Sequence, residues 1–260
     1  MIPYIQINIP TYELMVVIGI LGSISFLRLR NRNYGYTKQQ LIPLFVSMLL
    51  GMAIGSRLLY FATALPTLVK EGLSVQNVAK HLLSGGFVFY GGLFGALAGL
   101  AVCCKRKAWN LQQVFNFVVP GITLFHMFGR IGCFLAGCCY GIEVPWGIPY
   151  LGTRRFPVQL LEALSEFILT VWLLTYEDKV KLRAKPVQTE EKEETTETLS
   201  YSLLERYLCV YAVIRILLEF LRGDEARGYW GVLSTSQWIS MVLLVVLAIN
   251  RWRKKRRGNQ

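Results

Sequence analysis

The chain has 260 residues, 53% of them hydrophobic and 17% charged, with a mean hydropathy of +0.41. A soluble domain of this length is usually less apolar and more charged. The net charge of +12 raises nucleic acid as a partner, but the placement of the basic residues points to a membrane surface instead, and no nucleic-acid partner is expected.

A helix that crosses the hydrocarbon core of a bilayer needs about 20 mostly apolar residues. Seven stretches approach that length, at roughly 12–28, 41–63, 86–104, 113–129, 157–175, 204–222 and 232–250. The expected architecture is all-α: seven transmembrane helices with an irregular region on the periplasmic side, in a single integral membrane domain over residues 1–260. Basic residues gather at 28–38, 105–107, 179–192 and 251–257, after the first, third, fifth and seventh stretches; these clusters hold 18 of the 28. Short cytoplasmic loops collect Lys and Arg, so the alternation puts the N-terminus outside and the C-terminus in the cytoplasm. No cleavable leader is evident: residues 1–11 lack a basic start, and Arg28, Arg30 and Arg32 follow the first apolar stretch.

In chain order, the first stretch opens at Ile9-Pro10-Thr11-Tyr12. The second carries Gly51, Gly55 and Ser56, and the third repeats Gly91, Gly95 and Gly99 every four residues. Small residues at that spacing let helices approach closely. From the end of the fourth stretch to about residue 156, glycines, cysteines and prolines predict irregular chain. Residues 177–203, rich in Glu, Lys and Thr, read as a flexible cytoplasmic loop. Residues 251–260 read as a basic cytoplasmic tail that sets topology and meets anionic lipid.

Charged groups inside spanning segments are costly and therefore informative. Arg57 lies near the middle of the second stretch, Arg130 ends the fourth, and Arg215 and Glu219 lie within the sixth. Tyr211, Arg215, Glu219 and Arg222 are spaced by four, four and three, which predicts one polar face on an apolar helix. One reading is an Arg215–Glu219 ion pair that locks helices together. The other uses the excess of Arg over Glu on this face: a guanidinium is a planar fork of donors suited to phosphate oxygens. Such arginines would hold a phospholipid headgroup and stabilise a departing phosphate.

A second constellation runs from His126 through Arg130, Gly132, Cys133, Cys138 and Cys139 to Gly141. His126, a lone histidine near a helix end, reads first as a structural hydrogen-bonding group. The three cysteines admit four readings: packing, a disulfide, a thiolate nucleophile beside Arg130, or a metal site. Their spacing does not match a CxxC zinc pair. Cys103, Cys104 and Cys209 read as apolar fillers.

At these residues the sequence resembles the prolipoprotein diacylglyceryl transferase family, over nearly the whole chain and in order. The resemblance is carried by Ile9 to Met15, Gly55-Ser56-Arg57-Leu58-Leu59-Tyr60, Gly85-Gly86-Phe87-Val88-Phe89-Tyr90-Gly91-Gly92, Gly129-Arg130-Ile131-Gly132, Phe156-Pro157-Val158-Gln159-Leu160-Leu161-Glu162, and the stripe from Tyr211 to Arg222. It implies a bacterial plasma (inner) membrane enzyme that moves the diacylglyceryl group of phosphatidylglycerol onto the lipobox cysteine of a prolipoprotein, forming a thioether. Its implied partners are phosphatidylglycerol, the prolipoprotein signal-peptide region and membrane lipids, with no metal and no cofactor. By carry-over, Arg130, Arg215, Glu219 and Tyr12 are the expected catalytic residues. Arg57, Tyr90, Gly132, Cys133, Cys138, Gly141, Tyr211 and Arg222 are the expected substrate contacts.

The chain departs from the family pattern in places. Cys133 and Cys138 stand where the family signature usually has Asn and Glu, Tyr90 stands where it usually has His, and Phe156 occupies a His or aromatic position. Three alternatives therefore accompany the transferase reading: a paralogue with another acceptor, a cysteine-nucleophile lipid acyltransferase, and a non-catalytic lipid-binding protein.

Overall fold

The computed structural model describes residues 10–72, 74–84, 89–150, 152–183, 202–224 and 229–258. Most of the expected loop 177–203, the Gly85–Val88 part of the third-stretch motif and residues 259–260 of the tail lie outside the described residues. The chain gathers into two compact units, Asn31–Val114 and Met1–Arg30 with Phe115–Gln260.

The unit 31–114 holds a short 3-10 turn (Asn31–Asn33) and helices α2 (Lys38–Glu71), α3 (Val75–Ser84) and α4 (Phe89–Lys107), where α1 is Thr11–Arg30. The Thr37 N–H donates to Gln40 Oε1 at 2.9 Å, capping α2 at its start. Helices α2 and α4 pack backbone to backbone. A methyl group on Gly51 would lie 2.2 Å from the Gly95 carbonyl oxygen, and one on Gly55 would lie 2.3 Å from that of Gly91. One on Gly99 would lie 2.2 Å from the Ser47 carbonyl oxygen. The four-residue glycine repeat is thus a contact face, as its spacing predicts. Helix α3 was not expected from the sequence; at 10 residues it is too short to register as a span.

The other unit contains α1, α5 (Leu111–Ala136, all but its first residues), α6 (Val158–Arg183), α7 (Leu203–Glu219) and α8 (Thr235–Gly258). Two antiparallel hairpins join them: β1 (Glu143–Tyr150) with β2 (Thr153–Arg155), and β3 (Tyr229–Trp230) with β4 (Leu233–Ser234). Helix α1 lies against α5 through glycine: a methyl on Gly19 would sit 3.0 Å from Phe128 Cβ, and one on Gly132 would sit 3.0 Å from Met15 Cβ and 3.3 Å from Tyr12 Cδ2. At the end of α1, Arg30 donates to the carbonyls of Phe117 (3.2 Å) and Asn116 (3.0 Å) and pairs with buried Glu177.

Four described helices are long and apolar enough to cross a membrane: Thr11–Asn33, Lys38–Leu65, Leu111–Ala136 and Val158–Val180. The other three expected stretches fall on α4, α7 and α8.

Several sequence expectations are corrected locally. Helix α5 does not end at Arg130 but continues to Ala136, and its stop comes where Gly137 takes φ +73°. The Cys138 N–H reaches back to the Cys133 carbonyl at 3.0 Å, the six-to-one bond of a Schellman cap. The region expected to be irregular contains the β1–β2 hairpin, because Gly152 at φ +83° permits the reversal between its strands. Residues 177–183 extend α6, and the basic residues 251–257 continue α8 as helix. Helix α7 stops at Glu219, so Tyr211, Arg215 and Glu219 share its buried face while Arg222 lies beyond it.

Candidate functional site

The unit formed by residues 1–30 and 115–260 buries an ionic cluster between α5, α6 and α7. Glu162 of α6 is its centre. Arg130 Nη2 lies 2.9 Å from Glu162 Oε1, and Arg215 Nη1 lies 3.4 Å from Glu162 Oε2, so one carboxylate joins both guanidinium groups. Arg215 Nη2 also lies 2.8 Å from Glu219 Oε2, one turn along α7, and donates to Ser236 Oγ at 3.3 Å. The Arg130, Arg215, Glu162 and Glu219 side chains are each no more than 10% exposed. Charges buried this deeply persist only when paired.

His126 fixes the far side of Arg130. The Arg130 Nε–H donates to His126 Nε2 at 3.2 Å. That leaves His126 Nε2 as acceptor and Nδ1 as the protonated nitrogen, which donates to Glu166 Oε1 at 2.8 Å. His126 is therefore held between Arg130 and Glu166. The Tyr211 ring meets its edge at 5.2 Å between centroids and stacks on Tyr207 at 5.8 Å. Below Glu166, Thr170 donates to the Glu166 carbonyl (2.8 Å) and pairs with Thr123 of α5 at 2.6 Å.

The arginine surplus read from α7 alone is offset by α6. Counting Glu162, Glu166, Glu219 and Asp224 against Arg130, Arg215 and Arg222, the carboxylates match the guanidinium groups and exceed them by one. Arg222 is held by Asp224, with Nε donating at 2.9 Å and Nη2 at 2.7 Å in a bidentate fork. The sequence reading missed Glu162 and Glu166 as site residues. Their signal was present: Glu162, Glu166 and Thr170 repeat every four residues inside an apolar helix, the same pattern that singled out α7.

The glycine–cysteine segment follows α5 directly. Gly141 is enclosed by backbone: a methyl there would lie 2.3 Å from the Phe156 carbonyl oxygen and 3.0 Å from that of Leu221. It bridges Arg222, and the flanking Ile142 and Gly223 N–H groups donate to Leu221 (3.0 Å) and Tyr140 (3.0 Å) carbonyls. Buried Gln159 donates to the Cys138 carbonyl at 2.7 Å, and Tyr150 donates to that of Gly137 at 2.7 Å. Cys133 is buried, Cys139 half-buried and Cys138 exposed. Hydrogen bonds from the Cys133 and Cys138 thiols hold the Cys139 thiol below its ordinary range, against the opposing effect of burial.

The structure thus gathers Arg130, Arg215, Glu219 and Tyr211 in one cluster, with Gly132 at the contact of α5 with Tyr12. Gly141 and Arg222 form the adjoining bridge. Arg57, half-buried on α2, and Tyr90, buried on α4 and stacked on Phe94 at 5.9 Å, belong to the other unit.

The family model described as "Prolipoprotein diacylglyceryl transferase" matches residues 1–252. The phosphatidylglycerol–prolipoprotein diacylglyceryl transferase of Clostridium tetani is 31% identical over 257 residues, covering 94% of this chain and 94% of that protein. A second such transferase, from Clostridium perfringens, is 31% identical over 92% of this chain and 88% of its own length. The corresponding protein of Legionella pneumophila (strain Paris) is 27% identical over 94% of this chain and 92% of its own. With a match across nearly its whole length and a buried arginine–glutamate cluster at its centre, the chain belongs to the prolipoprotein diacylglyceryl transferase family.

Proposed function

We propose that the protein transfers the diacylglyceryl group of phosphatidylglycerol to the lipobox cysteine of a prolipoprotein, with Arg130 and Arg215 gripping the phosphate. The observation that carries this reading is the single carboxylate, Glu162, that holds the two guanidinium groups side by side. Arg130 engages His126 through Nε and Glu162 through Nη2; its Nη1 makes no bond among the described residues, which leaves donors for a phosphate oxygen.

The reaction replaces a carbon–oxygen bond by a carbon–sulfur bond. The acceptor thiol gives up its proton, which ends on the released phosphate monoester or in solvent, and its sulfur attacks the glyceryl carbon that carries the phosphoester oxygen. The carbon–oxygen bond breaks, and glycerol phosphate leaves with the bonding electrons. The phosphate changes from a singly charged diester to a monoester that carries up to two charges. Fixed guanidinium groups therefore bind the transition state better than the substrate, which is the condition for raising the rate. Glu162 and Glu219 orient the arginines, and His126 with Glu166 fixes the Arg130 side chain. Tyr12, at the Gly132 contact, completes the expected catalytic set. Arg57 and Tyr90 lie in the other unit, and the proposal rests on neither.

The same proposal includes seven spans, with α4, α7 and α8 crossing alongside the four long apolar helices, the N-terminus outside and the C-terminus in the cytoplasm. The basic clusters after alternate spans support that orientation. Membrane lipids then surround the protein and supply the donor.

The test is to incubate purified protein with head-labelled phosphatidylglycerol and a lipobox peptide. Thioether-linked diacylglyceryl peptide and released glycerol phosphate in equal amounts are expected. Lipid turnover that leaves the peptide unmodified would point to a different acceptor and overturn the assignment.

A further inference from the structure

Three of the six cysteines converge. The Sγ atoms of Cys133, Cys138 and Cys139 all lie within 4.8 Å of one another. Three thiolates around a four-coordinate zinc ion, at about 2.3 Å from the metal, stand about 3.8 Å apart. A cation can therefore be seated among these sulfurs with small side-chain rotations. The spacing in the sequence gives no CxxC pair; the backbone brings the thiols together instead.

That backbone is held in place on several sides. The Schellman cap at Gly137 turns the chain so that Cys138 folds back on Cys133, with its Sγ 3.6 Å from the Cys133 carbonyl. Cys139 then takes φ +56°, a left-handed conformation unusual for a residue with a side chain. This turn lets two consecutive residues face the same partner. Gln159 and Tyr150 fix the carbonyls of Cys138 and Gly137, and the Gly141–Arg222 bridge fixes the far end. A disulfide would consume two of the thiols and leave the third stranded in the same cluster, whereas a cation uses all three.

The charge also suits a thiolate-bound cation. Three thiolates and a divalent cation leave one negative charge, and the cysteine turn lies in the chain between Arg130 of α5 and Gly141, which bridges Arg222. Exposed Cys138 gives the ion a way in.

The geometry points to a three-thiolate site for one thiophilic cation of the zinc class, formed by Cys133, Cys138 and Cys139. Three protein ligands leave the fourth coordination position open to solvent. Cys133 and Cys138 are also expected substrate contacts of the transferase, but the cation site requires only the sulfurs and their scaffold, and its test reads metal binding rather than transfer.

The test uses the full-length protein in detergent, reduced, stripped of metal and kept anaerobic. Zinc chloride alone is added, and bound zinc is measured by elemental analysis against a competing chelator; cobalt(II) is then substituted and read by thiolate-to-cobalt charge-transfer absorption. One cation per chain is expected, with the cobalt absorption, and a loss of affinity of at least about a hundredfold in Cys138→Ser and in Cys139→Ser. Cys209→Ser should leave binding unchanged. Because Cys138 is exposed, Cys138→Ser should unfold at the same temperature as the metal-free parent, which separates lost ligation from lost folding. Absence of stoichiometric zinc, binding that survives Cys138→Ser, or, in the protein as purified before reduction, a disulfide mapped to two of these three cysteines by peptide mass would each overturn the site.

Discussion

Two helix contacts in this protein solve the same problem in opposite ways. In lipid, apolar side chains gain little by leaving one apolar environment for another, so helices need another reason to stay together. Between α2 and α4 the reason is the removal of side chains: Gly51, Gly55, Gly91, Gly95 and Gly99 bring two backbones into direct contact. Between α5, α6 and α7 it is charge: Arg130, Arg215, Glu162 and Glu219 hold three helices through buried ion pairs. The first contact is tight and chemically inert. The second is costly to bury and offers donors to a ligand, which is why the candidate chemistry lies there and not at the glycines.

The comparison breaks most sharply at Glu162. In Glu162→Gln, two buried guanidinium groups lose their shared carboxylate, and a destabilisation of about 3 kcal/mol is expected from removing one partner of a buried ion pair. Thermal unfolding in detergent measures it. Added phosphatidylglycerol, but not phosphatidylcholine, should recover part of the loss, because its phosphate brings a net negative charge that the choline cation cancels in the other lipid.

A smaller effect is expected at the glycine contact. Gly51→Ala places a methyl 2.2 Å from a carbonyl oxygen that cannot rotate away, so the helices must separate at a cost of about 2 kcal/mol. No lipid should rescue it. Gly129→Ala, within α5 where a methyl meets nothing within 4 Å, should instead leave stability unchanged or raise it by about 0.5 kcal/mol.

An effect between these two belongs to the loop that follows the ionic contact. Gln159→Leu removes the donor to the Cys138 carbonyl and should cost about 1 kcal/mol. Hydrogen exchange should quicken at residues 137–141 while the α2–α4 contact keeps its protection.

The glycine contact was legible in the sequence because its signal is local: a four-residue repeat on one helix maps directly onto a face. The α7 stripe was legible for the same reason as far as Glu219. It failed at Arg222, where the spacing continued but the helix did not, since Phe220 already caps it. The ionic cluster was half legible. Arg130 and Arg215 stood out as charges in apolar segments, yet their common partner lies about 30 to 50 residues away on α6, and only the packing of three helices reveals that one carboxylate serves both. The cysteine cluster was the least legible feature, because a cap at Gly137 and a left-handed Cys139 are backbone facts that residue spacing does not carry.

The most direct test of the central claim is the single-turnover rate of thioether formation under saturating phosphatidylglycerol, for the parent chain and for Arg215→Gln. Loss of a group that stabilises the departing phosphate should slow the step by about a hundredfold or more while the protein stays folded. A folded Arg215→Gln variant that transfers as fast as the parent would contradict the phosphate-gripping role.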